Sequence, residues 1–389
     1  MDKLTRVNSA LNVLRAAAAA MVCVVHVRGY LLVPLAEADV GVLGEAAYVL
    51  TSLGNGAVMV FFVLSGYFVG GSVLRQGRDG TFRWRDYLLV RGIRLWIVLL
   101  PALILTLALD RMGMFLYPDS PAYDLDSRAV HNGSLMTFTG NIFFLQSWVV
   151  EPYGSNGALW SLAYEWAYYL LFPLIVIAIG RKDATWLGRA AGGVAAAGVA
   201  FIAGPTAIVL FVAWLLGALV AWKRDMFSRA VSRVAPLHLN ALRLIVAALT
   251  LGAMVLDRLQ DGGPNRAVAG TMICAFFAAI LVVLFVDDVQ PRFRPLRAVV
   301  GFVDRTLAES SYSLYAFHMP VLLLFATALT PTGPTNRFAP DGVGWLLVVA
   351  TTLGLILGGW VFARLTEFHY RTVRDAVRER LVETKNARI

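Results

Sequence analysis

The stretch Leu14–Val33, LRAAAAAMVCVVHVRGYLLV, decides the fold class of this chain. It is long and apolar enough to cross the roughly 30 Å hydrocarbon core of a bilayer, yet it contains Arg15 and His26. Ionisable side chains are costly inside a span, so their presence indicates a functional role. Their spacing of eleven residues leaves them about 20° apart around a helix and about 16 Å apart along it. The pattern predicts a membrane helix with both side chains on one inward face.

Composition extends this interpretation to the whole chain. Of 389 residues, 58% are hydrophobic and 15% are charged, whereas a soluble domain carries about 25% charged residues. The mean hydropathy is +0.68. An integral membrane protein is predicted, with its net charge of +9 in loops between spans rather than on a nucleic-acid-binding surface. Cys23 and Cys274 lie inside apolar runs, so neither a disulfide framework nor a Cys-x-x-Cys metal site is expected. No metal and no permanently bound cofactor is expected.

Apolar runs of sufficient length predict an all-α, polytopic membrane protein with about ten transmembrane helices. Lys and Arg concentrate in alternate loops, so the positive-inside rule places both termini in the cytoplasm. A shorter run, Leu135–Val150, is expected to be re-entrant or interfacial. The ten spans are predicted near 9–33, 52–73, 88–110, 158–180, 190–204, 205–222, 242–257, 267–287, 308–330 and 343–366.

Two parts of the chain are predicted, a transmembrane domain over 1–366 and a cytoplasmic tail over 367–389. In the tail, apolar residues recur among Arg371, Arg374 and Arg378. This is typical of a basic amphipathic helix on the inner leaflet. A solvated helical tail would give the same pattern.

Two further ionisable groups fall inside predicted spans, Glu165 in the fourth and His318 in the ninth. Counting depth from the helix rise puts both in one layer with His26, while Arg15 lies closer to the cytoplasm. A buried His26–Glu165 pair would suit general-base chemistry, because the carboxylate fixes the imidazole tautomer. We expect a tunnel open to both compartments.

A basic mouth is predicted on the cytoplasmic side of this layer. Arg91 and Arg94 lie at the inner end of the third span and would join Arg15 there. Guanidinium groups bind phosphate through paired N–H donors. The arrangement indicates a phosphate-bearing donor entering from the cytoplasm and a nucleophile activated by imidazole near the outer face.

Five segments, in this order along the chain, resemble the acyltransferase-3 family of bacterial membrane O-acyltransferases. The pair Arg15 and His26 matches its Arg-x10-His signature, and the others are FFVLSGYF (61–68), NIFFLQ (141–146), WSLAYEWAYYLLFP (160–173) and SYSLYAFHMP (311–320). The chain departs from the family pattern in two places. No proline closely follows the Arg91/Arg94 motif, and Met59 or a neighbour replaces an acidic residue before FFVLSG.

The resemblance implies transfer of an acyl group, usually acetyl, from cytoplasmic acyl-CoA to a hydroxyl of a glycan or glycosylated small molecule. The protein would be a multi-pass protein of the bacterial cytoplasmic membrane. His26 would be the catalytic base, supported by Glu165, and Arg15 the essential donor-side residue. Arg15, Arg91 and Arg94 would bind the donor. Candidate acceptor-binding residues are His318, Trp160, Asn141, Gln146 and Tyr312.

Each of these residues also has a structural interpretation. A histidine in a span can simply bond two helices together, which applies to His26 and His318. Glu165 could form an ion pair with an arginine. Asn141 and Gln146 could cap a re-entrant turn.

Two other functions remain open from the sequence. A transporter or flippase of glycolipids or small molecules would use midplane polar residues as a pathway, although no inverted repeat of the transporter type is evident. A scaffold without activity is the other, and the retention of Arg15, His26 and Glu165 argues against it.

Overall fold

The structure of the protein is a computed structural model that describes residues 8–124, 127–180, 185–259, 263–287, 294–330 and 337–386. Within these ranges the chain forms α-helices and isolated β-bridges but no β-strand. The helices are α1 (Ser9–Leu31), α2 (Val42–Leu50), α3 (Gly54–Ser65), α4 (Gly71–Arg78), α5 (Trp84–Leu116), α6 (Arg128–His131), α7 (Leu135–Ile142), α8 (Trp160–Gly180), α9 (Trp186–Trp222), α10 (Arg224–Ser232), α11 (Pro236–Leu259), α12 (Gly263–Leu284), α13 (Arg294–Val303), α14 (Ser311–Leu329), α15 (Gly342–Leu365) and α16 (Tyr370–Asn386).

Eight helical stretches of the described residues are long and apolar enough to cross a membrane. Val268–Leu284, within α12, is a shorter apolar helix. The predicted all-α, polytopic membrane fold is therefore confirmed. The eight stretches are Ser9–Leu31, Val42–Arg78, Trp84–Leu116, Gly157–Gly180, Trp186–Trp222, Pro236–Leu259, Ser311–Leu329 and Gly342–Arg380.

Helix α9 is broken at Gly204, whose φ of 79° and ψ of 172° lie in a region that only glycine adopts readily. Pro205 follows, and its missing N–H prevents a regular hydrogen-bond ladder across this point. The break separates two arms, 186–203 and 205–222, each long enough to span a bilayer.

The two arms run in opposite directions along α8. The first arm follows α8 after a short connection, which favours antiparallel neighbours. The second arm runs parallel to α8, because Tyr168 donates to the carbonyl of Ala207 at 2.8 Å and the Phe172 ring lies 4.9 Å from that of Trp214. The chain therefore reverses at Gly204. With the apolar stretch of α12, the described residues contain ten apolar helical segments, in agreement with the predicted number.

Helices α1 and α14 lie side by side and run in the same direction. The Arg15 guanidinium donates to the Ala308 carbonyl just before α14 at 2.7 Å, and the His26 ring contacts the His318 ring. Arg15 and His26 are eleven residues apart on α1, and their partners Ala308 and His318 are ten residues apart in the same order. Both side chains therefore face the protein interior from one side of α1, as the spacing predicts.

Glycines allow α3 and the second arm of α9 to approach at backbone distance. A Cβ atom at Gly66 would collide with the Trp214 carbonyl, and one at Gly217 would collide with the Val63 carbonyl. Small residues at such crossings are a common device of membrane helices. The Ser65-Gly66 pair therefore serves close helix packing. The crossing also brings Trp214 next to Ser65, where its indole N–H donates to the Ser65 hydroxyl at 3.2 Å.

The C-terminal segment returns to the helical bundle before it forms α16. A single 3-10 turn, Glu367–His369, follows α15, and Glu367 is buried there. Helix α16 begins at Tyr370. The location of both termini in the cytoplasm and the position of the tail on the membrane surface remain predictions.

Candidate active site

A cavity of about 780 Å³ lies among α1, α3, α5, α8 and α14. Arg15, Arg91 and Arg94 all line it, so the fold brings together the basic cluster expected from the sequence. We call this space the arginine cavity. Its other lining residues include Asn12, Ser161, Glu165, Tyr169, Tyr312, Tyr315, Glu367 and Arg371.

Two of the three guanidinium groups have donors without a protein partner. The Nε atoms of Arg15 and Arg91 are buried and have no hydrogen-bond partner among the described residues. The Arg91 guanidinium lies 5.7 Å from the ring centroids of Tyr87 and of Tyr169, which fixes its plane. Buried donors without a partner are rare, and they suit a site completed by an anionic ligand.

Arg94 is held differently. It forms an ion pair of 2.7 Å with Glu367, whose side chain is only 2% exposed. The other oxygen of Glu367 accepts hydrogen bonds from the backbone N–H of Ser313 at 3.1 Å and from its hydroxyl at 2.9 Å. The pair therefore ties α5, α14 and the C-terminal segment together. Arg94 lines the cavity, but part of its donor capacity is already satisfied.

His26 and His318 form a hydrogen-bonded pair. Nδ1 of His26 lies 2.9 Å from Nε2 of His318, and the rings are stacked with their centroids 5.1 Å apart. Nδ1 of His318 lies 3.0 Å from the Leu314 carbonyl and 2.9 Å from the Tyr315 carbonyl. His318 is buried and His26 is half-buried.

The two carbonyls determine the tautomers of the neutral pair. A carbonyl oxygen only accepts, so Nδ1 of His318 must carry the hydrogen. Nε2 of the same neutral ring is then an acceptor, and Nδ1 of His26 must donate to it. Nε2 of His26 is consequently left with a free lone pair. The geometry thus leaves one atom of the pair, Nε2 of His26, able to act as a base.

Glu165 does not occupy the position predicted for it beside His26. Its Oε1 accepts hydrogen bonds from the Ser65 hydroxyl at 2.9 Å and from the Tyr169 hydroxyl at 2.5 Å. The expected His26–Glu165 pair is therefore wrong, and His318 takes that place. The sequence indicated the height of Glu165 along its helix. It did not indicate the rotation of that helix, which decides the neighbours of Glu165. Glu165 instead faces the arginine cavity.

A second cavity, of about 320 Å³, lies on the other side of the histidine pair. On α1, Arg15 lines the arginine cavity and Tyr30 lines the second cavity, with His26 between them in sequence. On α14, Tyr315 lines the first and Met319 the second, with His318 between them. We call the second space the Tyr30 cavity.

The histidine pair therefore divides two cavities rather than lining one continuous tunnel. Neither His26 nor His318 is among the residues lining the two cavities. Tyr315 lines the arginine cavity, and its ring lies 6.0 Å from the His318 ring. Its side chain therefore lies between that cavity and His318. The Tyr315 hydroxyl is held by the Ala158 carbonyl and by Ser161. The expected tunnel open to both compartments is therefore wrong, because the structure has two separate cavities on opposite sides of the histidine pair.

Comparison with known proteins agrees with this architecture. The family model described as an acyltransferase domain matches residues 8–364. This chain belongs to the acyltransferase-3 family. The arginine cavity, the histidine pair and the Tyr30 cavity all lie within or against the matched region.

One curated relative of this protein is the acyltransferase MdmB of Streptomyces mycarofaciens. The two are 29% identical over 159 residues, which is 40% of this chain and 37% of the relative. The similarity thus spans little more than a third of the relative's length. No solved structure matches this protein.

Of the predicted acceptor contacts, Asn141 and Gln146 bond the backbone of a loop. Asn141 donates to the carbonyls of Thr137 at 2.8 Å and Glu151 at 2.9 Å. Gln146 donates to the Leu159 carbonyl at 3.1 Å, although its Oε1 is buried without a partner among the described residues. These bonds support the turn-capping interpretation, because buried backbone groups in a loop need partners.

The other two predicted contacts differ from each other. Tyr312 lines the arginine cavity, and its hydroxyl donates to the Leu95 carbonyl at 3.0 Å. Trp160 packs edge-on against Tyr164, with the ring centroids 5.4 Å apart, and lines neither cavity. Tyr312 is thus placed with the arginine cluster and not beside the Tyr30 cavity.

Sequence reasoning missed three residues that shape these cavities. Tyr315 lies three residues before His318, so helical spacing alone would have placed it beside that ring. Tyr30 follows His26 by one turn on the same face. Glu367 had no comparable signal, because it follows the last span and sits among basic tail residues.

Proposed function

We propose that the protein is an O-acyltransferase that moves an acyl group, acetyl in the first instance, from acyl-CoA to a hydroxyl of a glycan or glycosylated small molecule. The observation that carries the proposal is the His26–His318 pair, which lies between a basic cavity and a second, smaller one. A base placed between two cavities can act on two substrates that approach from opposite sides. The family membership supports the acyltransferase chemistry.

The arginine cavity suits the donor. The phosphates of acyl-CoA carry several negative charges, and Arg15 and Arg91 offer buried N–H groups without a protein partner. The volume of about 780 Å³ falls within the range of ligand sites, roughly 300–1,000 Å³. The Tyr315 hydroxyl, held by Ser161 and Ala158, lies at the end nearest the histidine pair. Movement of this side chain would admit the thioester to His26.

His26 would act as the base. Its Nε2 lone pair takes the proton from the acceptor hydroxyl, and the oxygen attacks the thioester carbonyl. The carbon–sulfur bond breaks, and the thiolate leaves with the proton carried by His26. Transfer completes with an ester on the acceptor and free CoA. A positioned base of this kind contributes a factor of about 10² to 10⁴ in rate.

His318 would be the positioning residue for this base. Its Nε2 accepts the hydrogen bond from Nδ1 of His26 and so keeps Nε2 of His26 unprotonated and directed away from the pair. When His26 takes a proton, the same hydrogen bond becomes charge-assisted and stabilises the imidazolium. His318 thus takes the role that the sequence suggested for Glu165.

The basic loops favour a donor that enters from the cytoplasm. Arg15 then lies towards the cytoplasm and His26 towards the outer side, and the acceptor approaches from the Tyr30 cavity. A multi-pass protein of the bacterial cytoplasmic membrane fits this arrangement, because acyl-CoA is made in the cytoplasm. Carbohydrate, acyl-CoA and the lipid bilayer are the proposed partners.

Transfer assays on purified protein in vesicles test the proposal. His26→Ala and Arg15→Ala are each expected to lower transfer from radiolabelled acetyl-CoA by at least about 10²-fold. His238→Ala is the matched control, because His238 is an exposed histidine of α11 away from both cavities. Normal transfer by His26→Ala would exclude the mechanism.

A further inference from the structure

The Tyr30 cavity is small, and its wall has two distinct sides. Met319, Leu323 and Ala326 give it an apolar side along α14. Hydroxyl groups and two arginines give it a polar side. The polar lining residues are Tyr30, Ser120, Ser127, Arg128, Ser155, Thr327, Thr330 and Arg337.

The charged residues in this wall are both basic. Arg128 and Arg337 line the cavity, and no acidic residue is among its described lining residues. Arg337 is half-buried, whereas Arg128 is exposed at the start of α6. The nearby carboxylate of Asp110 is buried and accepts two hydrogen bonds from Ser155, and Asp110 is not itself among the lining residues. The side chains that line the cavity therefore carry a net positive charge.

One hydroxyl of the wall has an unmet hydrogen bond. The Oγ atom of Ser127 is buried and has no partner among the described residues, although the residue is only 8% exposed. An unpaired buried hydroxyl is unfavourable unless a ligand or water completes it. Four residues earlier in the chain, the Tyr123 hydroxyl is also buried without a partner among the described residues, and burial raises the pKa of Tyr123 above its ordinary value. It therefore stays protonated and able to donate.

We propose that the Tyr30 cavity is the acceptor site and that it takes a hydroxyl-bearing molecule with an anionic group, a carboxylate or a phosphate, near the reacting hydroxyl. This rests on the proposed function, since it names the class of acceptor. Arg337 and Arg128 bind the anionic group, Ser127 bonds a hydroxyl, and the α14 side packs against the apolar face of the ligand. The volume of about 320 Å³ admits one small ring rather than a long chain.

The position relative to the base supports this assignment. Tyr30 follows His26 by one helical turn, and Met319 is adjacent to His318. A hydroxyl held in the cavity near these two residues is on the side of the pair opposite the arginine cavity. The donor and the acceptor therefore need not compete for one space.

The test compares two acceptors that differ only at C6. Methyl glucoside and methyl glucuronide share the ring and its other hydroxyls, and the second carries a carboxylate in place of the C6 hydroxymethyl group. Transfer is measured in phosphatidylcholine vesicles, with hydrolysis of acetyl-CoA in the absence of acceptor as a separate readout of the donor side. The wild-type protein is expected to show a kcat/KM at least about tenfold higher for the glucuronide.

Substitutions locate the preference. Arg337→Gln is expected to lower kcat/KM for the glucuronide at least about tenfold and to leave kcat/KM for the glucoside nearly unchanged. Arg337→Lys keeps the charge and should retain part of the preference. Ser127→Ala should raise KM for both acceptors. Arg111→Gln, at an exposed arginine that does not line the cavity, is the control.

Two results would overturn the inference. Equal kcat/KM for the two acceptors, or equal losses for both in Arg337→Gln, would exclude an anion site in this cavity. A charge effect that appears only when phosphatidylglycerol is added to the vesicles would assign the arginines to a lipid headgroup instead. Hydrolysis of acetyl-CoA that depends on His26 would persist in either case, so the proposed function is tested separately.

Discussion

Nδ1 of His26 lies 2.9 Å from Nε2 of His318, and the far side of the His318 ring is held by two backbone carbonyls of its own helix. The direction of every hydrogen bond in this chain of contacts follows from those carbonyls, because they can only accept. The pair therefore presents a single free lone pair, on Nε2 of His26. The two backbone carbonyls therefore fix the tautomers of the histidine pair without the help of a charged residue.

Substitutions at His318 separate positioning from packing. The side-chain nitrogen of Asn lies near the place of Nδ1, and the end of Gln reaches the place of Nε2. His318→Gln can still accept from His26, whereas His318→Asn can bond only the Leu314 and Tyr315 carbonyls. We expect the Gln variant to keep at least about tenfold more kcat than the Asn variant, since it preserves the hydrogen bond to His26.

The measurement is the rate of acyl transfer at saturating donor, with protein yield and thermal unfolding as controls for folding. A role for His318 in helix packing alone predicts the opposite order, because Asn would preserve the bonds within α14. Equal activity of the two variants would also contradict the positioning role. His238→Asn supplies a control histidine that is exposed.

Arg91 is expected to act on donor affinity. Arg91→Gln removes the charge but keeps a shorter polar side chain beside Tyr87 and Tyr169. Loss of one charge-assisted contact to phosphate predicts a KM for acyl-CoA raised about tenfold to a hundredfold, with a smaller change in kcat. Arg243→Gln is the matched control, because Arg243 bonds the Leu284 carbonyl outside both cavities. Unchanged KM in Arg91→Gln would place the donor elsewhere.

Glu367 is expected to hold the C-terminal segment against the helical bundle. Glu367→Gln removes the charge opposite Arg94 and weakens the bonds to Ser313. The Arg94 side chain is 31% exposed, so solvent screens the pair. We expect a loss of about 1–3 kcal/mol in the free energy of unfolding.

Thermal unfolding in detergent measures this loss. The exposed pair between Arg374 and Asp375 is the control, and Asp375→Asn is expected to leave the unfolding temperature unchanged. A shift of the same size in both variants would show that the Arg94–Glu367 pair contributes no more than a surface contact. The donor KM of Glu367→Gln adds a second readout, since release of the segment would open the arginine cavity.

The sequence predicted those features that depend on position along one helix. Spacing of eleven residues placed Arg15 and His26 on one face, and the predicted spans 190–204 and 205–222 meet at the observed reversal, Gly204-Pro205. Features that depend on how helices rotate against each other were not predictable in this way. Helix rise gave Glu165 and His318 similar heights, but only packing decides which of them His26 meets. For the same reason, the sequence predicted a single tunnel, whereas in the structure Tyr315 lies between the arginine cavity and the histidine pair.

Substitution of Gly217 tests whether backbone contact between α3 and α9 positions the site. A side chain at Gly217 would collide with the Val63 carbonyl, which cannot move without shifting α3. That shift would also displace Ser65, which donates to Glu165. Gly217→Val is therefore expected to lower the free energy of unfolding by about 1–3 kcal/mol and to reduce transfer.

Gly252 offers a matched control for the same substitution. It lies in α11, and a Cβ atom there would have nothing within 4 Å. Gly252→Val changes the same residue type in a helix without meeting another chain segment, so it should leave transfer unchanged. Comparison of the two variants by thermal unfolding in detergent separates collision from helix propensity, because both replace glycine by valine. Equal losses in the two would mean that the close approach of α3 and α9 contributes nothing specific, and that the position of Glu165 depends on its other hydrogen bond, to Tyr169.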